Sequence, residues 1–471
     1  MASVNRGEGF LTLLKKRDFL RIWLAQLLSM TIFNASNYAL LILIENATHS
    51  TTLVGLAIIC FSIPAVLFGA PAGVFVDHMD KRRVLWASNC LRALATFLFV
   101  GVLIVNHTLL VAVYLLTFLI SSISQFFAPA EGSAIPLLVS EDELMPALSL
   151  FNITFMLSQA LGFILFAPLA LSLLPTFHIY TVTIDPIIQL YTLIGIFYIV
   201  CAVLILMIPH ERFEQKKPVR PKTGPLTEET INAVHEVFNE MYQGWSFVRR
   251  NKGLFLGIIQ LSFAGVLLLV ISQLATPIVT QLLKLPSTAM AFIFAPAGIG
   301  LVLGSVFMPH ITRRIGKPRS IFIGTIMLTV ATTLLPLTIK LFRALQPTSW
   351  VGNPLLVVVI ALIMFAAGLS LDFINLPALT SVQELTPDWI KGRVLALQLV
   401  LYNACAIPII LFIGIFADVF GMNRVLYLLS ICEIAFGVWG IYYRRKHREQ
   451  IEAKDEIRDE REKPEMDTIS P

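Results

Sequence analysis

Long apolar runs alternate with short polar breaks along almost the whole chain. A helix of about 20 apolar residues spans the hydrocarbon of a bilayer, and runs of that length or more occupy 18–44, 51–77, 84–105, 108–138, 147–174 and 187–209. A second set occupies 253–281, 286–309, 318–343, 352–382, 391–418 and 422–443. The pattern predicts an all-α membrane protein with two sets of six transmembrane helices. A polar lead from Met1 to Arg21 runs directly into the first of them, without a short apolar core and a small-residue cleavage site. It reads as a retained first span, not a signal peptide.

The widest polar break separates the two sets and places domain limits at 1–210, 211–252, 253–443 and 444–471. The break begins basic and proline-rich (Lys216-Lys217-Pro218 to Pro225), which suits a linker. From Thr227-Glu228-Glu229 onward, acidic residues open a helical pattern. Ile231, Val234, Val237, Phe238, Met241, Trp245 and Phe247-Val248 then recur at helical spacing, predicting an amphipathic helix at the membrane surface. The segment from Arg444 to Pro471 is almost wholly polar and predicts a solvated tail. An internal repeat supports the division: Pro129-Ala130, Ser133 and Leu137 recur as Pro377-Ala378, Ser381 and Leu385 at the same spacing. Parallel repeats of this kind mark carriers whose substrate site lies between the halves.

Composition sharpens the picture. Only 14% of the 471 residues are charged, too few to cover a water-facing surface of this size. The formal net charge of +5 does not point to nucleic acid, because the charges are sorted by loop. Lys284, Lys340, Arg343 and Arg424 fall on one side and Arg92 within a span; all the remaining Lys and Arg, out of 35, fall on the other side. The positive-inside rule then predicts both termini on the cytoplasmic side of the cytoplasmic membrane. The acidic loop Ser140-Glu141-Asp142-Glu143 departs from this bias, but acids weigh little in the rule. The five cysteines lie inside apolar runs and are expected as small buried residues, not disulfides or metal ligands. No phosphate-binding GxxxxGK[ST] loop and no clustered His, Cys or Asp set suggests an ATP-driven pump, an enzyme, a cofactor or a metal.

After the second run the chain reads Gly73, then Asp77-His78-Met79-Asp80-Lys81-Arg82-Arg83. Glycine near a helix end permits close approach of a neighbouring backbone, and the acid and bases set opposite charges at the membrane surface. This pattern resembles the major facilitator superfamily, with His78 and Asp80 departing from the usual basic residue and second glycine. Arg313-Arg314, Gly316 and Lys317 form a second-half counterpart that lacks the acid. Phe127 with Pro129-Ala130, Pro387-Asp388 with Lys391-Gly392-Arg393-Val394, and Gly414 with Ala417-Asp418 extend the resemblance to the drug-efflux branch of macrolide exporters and the enterobactin exporter. The fifth-run glycine-proline motif of antiporters is reduced to Gln159-Ala160-Leu161-Gly162 with Pro168. The resemblance implies that Gly73, Asp77, Lys81 and Arg82 form a gate. Asp77 would face a helix N-terminus in the opposite half, where a helix dipole favours negative charge, held by Lys81 and Arg82.

Ionisable residues inside spans cost about 2.5–3.5 kcal/mol to insert and are functional candidates. Arg92 lies about 12 Å into its span at ~1.5 Å per residue and needs a partner, for which Glu131 on the next span is the candidate. Asp372 lies mid-span and is the first choice for a coupling carboxylate; Glu433, in the last span, is expected to be peripheral. Asn34, Asn37 and Tyr38, Gln159, Gln260 and Gln273, and Asn403 lie on runs that, by the resemblance, line a central cavity. Scattered amides among apolar residues suit a large amphipathic ligand, although helix–helix hydrogen bonding explains any one of them equally well. The expected function is secondary active transport of a small amphipathic molecule by alternating access, as proton-coupled export. The alternatives are an uptake carrier of the same fold and a non-transporting receptor, which would require a larger output domain outside the membrane. The expected partners are a small-molecule substrate and membrane lipid, not nucleic acid, and the chain reads as a monomer.

Overall fold

The computed structural model describes residues 12–105, 109–179, 182–213, 242–347, 349–447 and 450. Twelve helices among them are long and apolar enough to cross a membrane, one on each expected run. They are α1 (Arg17–Thr48), α2 (Thr51–His78), α3 (Lys81–Val105), α4 (Leu110–Leu138), a fifth span in pieces, and α7 (Pro186–Leu206). The second set is α8 (Lys252–Pro277), α9 (Met290–Ile315), α10 (Lys317–Leu345), α11 (Pro354–Leu385), α12 (Asp388–Phe420) and α13 (Met422–Lys446). Several helices overrun the apolar run that predicted them, because backbone hydrogen bonding continues past the edge of the hydrocarbon. The fifth span is α5 (Glu141–Ala160), a π-helical turn (Leu161–Phe166) and α6 (Ala167–Leu173). A hairpin follows, with β1 (Phe177–Ile179) antiparallel to β2 (Val182–Ile184) and Phe177 opposite Ile184. Its strands are too short for periodicity to reveal.

Two compact units are present. The first comprises Met1–Val237 with Ser272–Phe294 and Ile410–Val419; the second comprises Phe238–Ile271, Ala295–Ile409 and Phe420–Pro471. Contacts therefore place the ends of α8 and α12 with the first six spans. The expected domain limits instead follow the chain and put both in the second half. The expected amphipathic helix falls outside the described residues up to 241, as does the tail from 451. Residues 242–250 are helical and belong to the second unit, where Arg393 donates to Gln243 Oε1 at 2.8 Å and Trp245 lies 6.3 Å from the Phe255 ring.

Polarity within the first unit is inverted relative to a water-soluble bundle. On α3, Asn89 and Arg92 are fully buried while Leu91, Leu94 and Leu98 are each more than half exposed. Lipid is as apolar as leucine, so burial of leucine does not drive these helices together; close packing and hydrogen bonds do. Trp23 Nε1 accordingly donates to Thr154 Oγ1 at 2.8 Å, and the Tyr191 hydroxyl to the Ser36 carbonyl at 2.9 Å. Ala130 and Ala378, the repeated alanines, are both fully buried. The cysteines depart from expectation: only Cys201 is buried, and Cys90, Cys405 and Cys432 are exposed. On a surface facing lipid, exposure costs a small apolar side chain nothing.

The start of α5 carries a capping box in which the Ser140 amide and hydroxyl both donate to Glu143 Oε2, at 3.0 and 2.6 Å. Lys16 donates to the same oxygen at 2.5 Å. Hydrogen bonding from Lys16, then from Ser140, draws the Glu143 carboxyl down to about 2. A depressed carboxylate stabilises the fold above its unfolded pKa, about 4.3, and that contribution disappears as pH falls through the folded value. The melting-temperature difference between wild type and Glu143→Gln should therefore be largest above about pH 5 and vanish toward pH 2.

In the second unit, α9 and α11 cross at contact distance because both lack side chains there. A Cβ at Gly368 would collide with the Ala297 carbonyl oxygen, and one at Gly300 with that of Phe365. The obstacle is backbone and cannot rotate away, so Gly368→Ala should cost at least the roughly 1–3 kcal/mol of ordinary overpacking. Size-exclusion yield and a thermal melt should show the loss. Gly69→Ala, where a Cβ meets nothing within 4 Å, should leave both unchanged.

Candidate functional site: a clasp at helix ends

A network of polar contacts in the first unit lies where α1 ends and α2 begins. The first amides of any helix lack partners within the helix. On α2 they are met by a carboxylate from α12: Asp418 accepts from the Thr51 amide at 2.7 Å, the Thr52 amide at 3.0 Å and the Ser50 hydroxyl at 2.6 Å. The α2 dipole favours the same negative charge. One turn deeper, fully buried Gln273 of α8 donates to the carbonyls of Thr51 and Ile410, each at 3.0 Å. Gly55 and Gly414 make room for it, since a Cβ would come within 2.5 Å and 2.8 Å of Gln273 Nε2, respectively. Glu45, also fully buried, accepts from Thr280 Oγ1 at 2.7 Å and Gln281 Nε2 at 3.0 Å. Gln281 donates in addition to the His49 carbonyl at 3.1 Å. The ends of α8 and α12 are thus fastened to α1 and α2 by hydrogen bonds made mostly to helix termini.

The ionisable residues expected within spans have separate surroundings. Arg92 makes no ion pair with Glu131 among the described residues. It donates to Asn89 Oδ1 at 2.7 Å, and its guanidinium lies 4.8 Å from the Phe127 ring centre and 4.6 Å from that of Tyr198. Two π faces and an amide replace the expected carboxylate, and Glu131 is buried nearby with Oε1 lacking a hydrogen-bond partner among the described residues. Asp372 accepts from Ser305 Oγ at 2.7 Å and lies against Gly304, where a Cβ would come within 2.8 Å of its Oδ2. Glu433 is fully buried between α10 and α13, accepting from Thr332 Oγ1 at 2.9 Å.

In the expected gate, Lys81 donates to the Val76 carbonyl at 2.5 Å and Arg82 to the Leu206 carbonyl at 2.6 Å. Arg21 donates to the Met207 carbonyl at 2.7 Å, so basic side chains finish the C-terminal ends of α2 and α7. The Asp77 side chain lies outside the described residues. Among the described residues Gly73 makes no close helix approach, since a Cβ there would meet nothing within 4 Å. Gly162 does: on the π-helical turn, its Cβ would collide with the Thr31 carbonyl and reach Asn34 Cβ at 2.7 Å. The acid missing from the second-half motif comes from another helix, with Lys317 ion-paired to Glu384 of α11.

Of the amides expected in a cavity, Asn34 back-bonds to the Met30 carbonyl at 2.8 Å. Asn37 and Asn403 are buried, and Gln159 is exposed. Gln260 lies 3.7 Å from where a Gly440 Cβ would be and lines a cavity within the second unit. Sequence reasoning noted Asp418 and Gln273 without assigning them the clasp, and passed over Glu45. Hydrophobicity alone does not show that a terminal carboxylate caps a helix far away in the chain.

Removing the clasp carboxylate should loosen this end. Loss of an N-cap with a charged acceptor costs about 1–2 kcal/mol, or roughly five- to thirty-fold in an opening equilibrium. Asp418→Ala should raise maleimide labelling of a Thr51→Cys reporter by that factor, read on its peptide by mass spectrometry. An unchanged rate would remove Asp418 from the clasp.

A sequence model described as Major Facilitator Superfamily matches residues 22–407. Macrolide efflux protein A of Streptococcus pyogenes is 24% identical over 246 residues, 51% of this chain and 53% of that protein, so the chain spans about half the length of this relative. The MFS-type transporter YfiS of Bacillus subtilis is 24% identical over 359 residues, 76% of each chain. Among solved structures, the nucleoside transporter NupG superposes with a TM-score of 0.65 at 15% identity, covering 90% of this chain and 98% of its own. An inward-facing bacterial homologue of the iron transporter ferroportin gives 0.64 at 16% identity, covering 92% and 99%. These likenesses establish a shared fold, and the match over most of the chain establishes the family: this membrane protein of twelve apolar helices belongs to the Major Facilitator Superfamily of transporters.

Proposed function

We propose that the chain exports a small amphipathic molecule across the cytoplasmic membrane by alternating access, coupled to protons, with both termini cytoplasmic. The observation that carries the export reading is the partial match to macrolide efflux protein A. The clasp supports alternating access, because its hydrogen bonds join helix ends and can break without unfolding a helix interior. Asp372 is the proposed coupling carboxylate: it sits at the tight α9–α11 crossing with Ser305 as its hydrogen-bond donor, where gain of a proton would alter that bond. Arg92, held by rings and an amide, is assigned a structural role. Asp77, with Lys81 and Arg82, is retained as the proposed gate on the side of the termini.

The competing reading is uptake, which fits the fold equally well since a nucleoside transporter shares it. Proteoliposomes with an imposed pH gradient separate the two when offered macrolides, amphipathic dyes, siderophores and sugars. Gradient-driven movement of a macrolide or dye is expected, falling at least about ten-fold in Asp372→Asn, the scale of about 1.4 kcal/mol. Accumulation of a sugar with no movement of the amphipathic compounds would replace export by uptake. Full gradient-driven transport in Asp372→Asn would remove that residue from coupling.

A further inference from the structure

The second unit contains a cavity of about 410 Å³ where α8 and α10 begin and α11 and α13 end. Its walls are mostly apolar, formed by Leu256, Ile321, Phe322 and Phe436, with Gln260, Thr325 and Ser381 as the polar side chains among them. Phe436 is held rigid by stacking on Phe263, with ring centres 3.7 Å apart. Phe322 is 45% exposed and Ile441 36% exposed, so this wall continues onto the surface that faces lipid. On α13, Gly437 and Gly440 leave two of the lining positions without side chains, beside Phe436 and Ile441.

The mouth differs in chemistry. Among the described residues, Lys317, Arg444 and Arg445 line it together with one carboxylate, Glu384, which is ion-paired to Lys317. The described lining is therefore richer in cations than in anions at the mouth. An apolar slot open to lipid beneath a cationic rim matches a molecule with hydrocarbon at one end and phosphate at the other. Guanidinium groups bind phosphate oxygens in a fixed fork geometry, and basic pockets between transmembrane helices take anionic headgroups. A soluble anion would use the rim and leave the slot empty, and a neutral amphiphile would use the slot and gain nothing from the rim.

We propose that this cavity binds an anionic phospholipid of the surrounding leaflet, its headgroup on Arg444 and Arg445 and an acyl chain against Phe322 and Phe436. The site lies within the second unit and is separate from the clasp and from Asp372. The inference requires only that the chain is embedded in a membrane, and is independent of the substrate and direction proposed above.

Native mass spectrometry of the full-length protein with added phosphatidylglycerol or phosphatidylcholine tests it. One tightly retained phosphatidylglycerol is expected in preference to phosphatidylcholine. At about 1 kcal/mol per basic residue, Arg444→Gln with Arg445→Gln should weaken that binding about thirty-fold. Gly440→Leu keeps every charge and fills the slot, since a Cβ there meets only Gln260 at 3.7 Å, and should abolish the retained lipid. Phe322→Gln, at an exposed wall position, provides the same test should Gly440→Leu fail to elute as a single species. Arg313→Gln with Arg314→Gln, basic residues on α9 outside the lining, should leave the lipid in place. Three results would each overturn the proposal: undiminished retention in the slot variants, equal loss in the Arg313/Arg314 variant, or displacement of phosphatidylglycerol by millimolar inorganic phosphate.

Discussion

A backbone amide or carbonyl without a partner costs several kcal/mol in hydrocarbon, and helix interiors avoid this by bonding to themselves. Helix ends cannot, and this chain finishes several of them with side chains from other helices. Arg21 of α1 and Arg82 of α3 meet the last carbonyls of α7, and Asp418 of α12 meets the first amides of α2. Each cap is therefore also a tertiary contact. Because it involves a terminal turn, it can be exchanged for water or another partner while the rest of the helix stays intact. Rigid helices with exchangeable ends are the mechanical requirement of a carrier that alternates its access.

The same constraint explains the polar interior. Arg92, Asn89, Glu433 and Thr332 are buried within their units while leucines face outward, since an unpaired charge suffers far more from lipid than leucine does. Arg92 is met by ring faces and an amide without an ion pair. That arrangement orients the guanidinium, and the nearby Glu131 has Oε1 without a hydrogen-bond partner among the described residues. Glu45 and Glu433 each commit one oxygen to a hydroxyl donor, while the other has no hydrogen-bond partner among the described residues. Such half-satisfied carboxylates suit positions whose hydrogen bonding changes during function, whereas a fully paired one would serve only to hold helices together.

Much of the architecture was legible in the sequence because span length is set by bilayer thickness. All twelve apolar runs became helices, and the repeated Ala130 and Ala378 took equally buried places. What the runs concealed was direction around the helix axis. Exposed and buried faces of a membrane helix are both apolar, so hydrophobicity did not show that Gln260 faces a cavity within its own unit, that Cys90 faces outward, or that Gly73 stands in open space while Gly162 is at close approach. The π-helical turn at Leu161–Phe166 and the short hairpin after it were equally silent, the first because it preserves helical composition and the second because it is too brief.

The clasp and the motif loops escaped for a different reason: their chemistry is divided between distant parts of the chain. Asp418 and the Thr52 amide it accepts from are 366 residues apart, and each alone is an ordinary polar residue at the end of an apolar run. The second-half basic motif looked incomplete because its acid, Glu384, sits on α11, 67 residues from Lys317. In the first half, Asp80 accepts from the Arg83 amide at the start of its own helix and also lies 3.5 Å from His210 Nε2; in the second, the base Lys317 takes its acid from another helix. Charge is thus kept between the halves while the source of the acid differs. Both loops thus tie helices together, the first through Arg82 on the end of α7 and the second through Lys317 on Glu384 of α11.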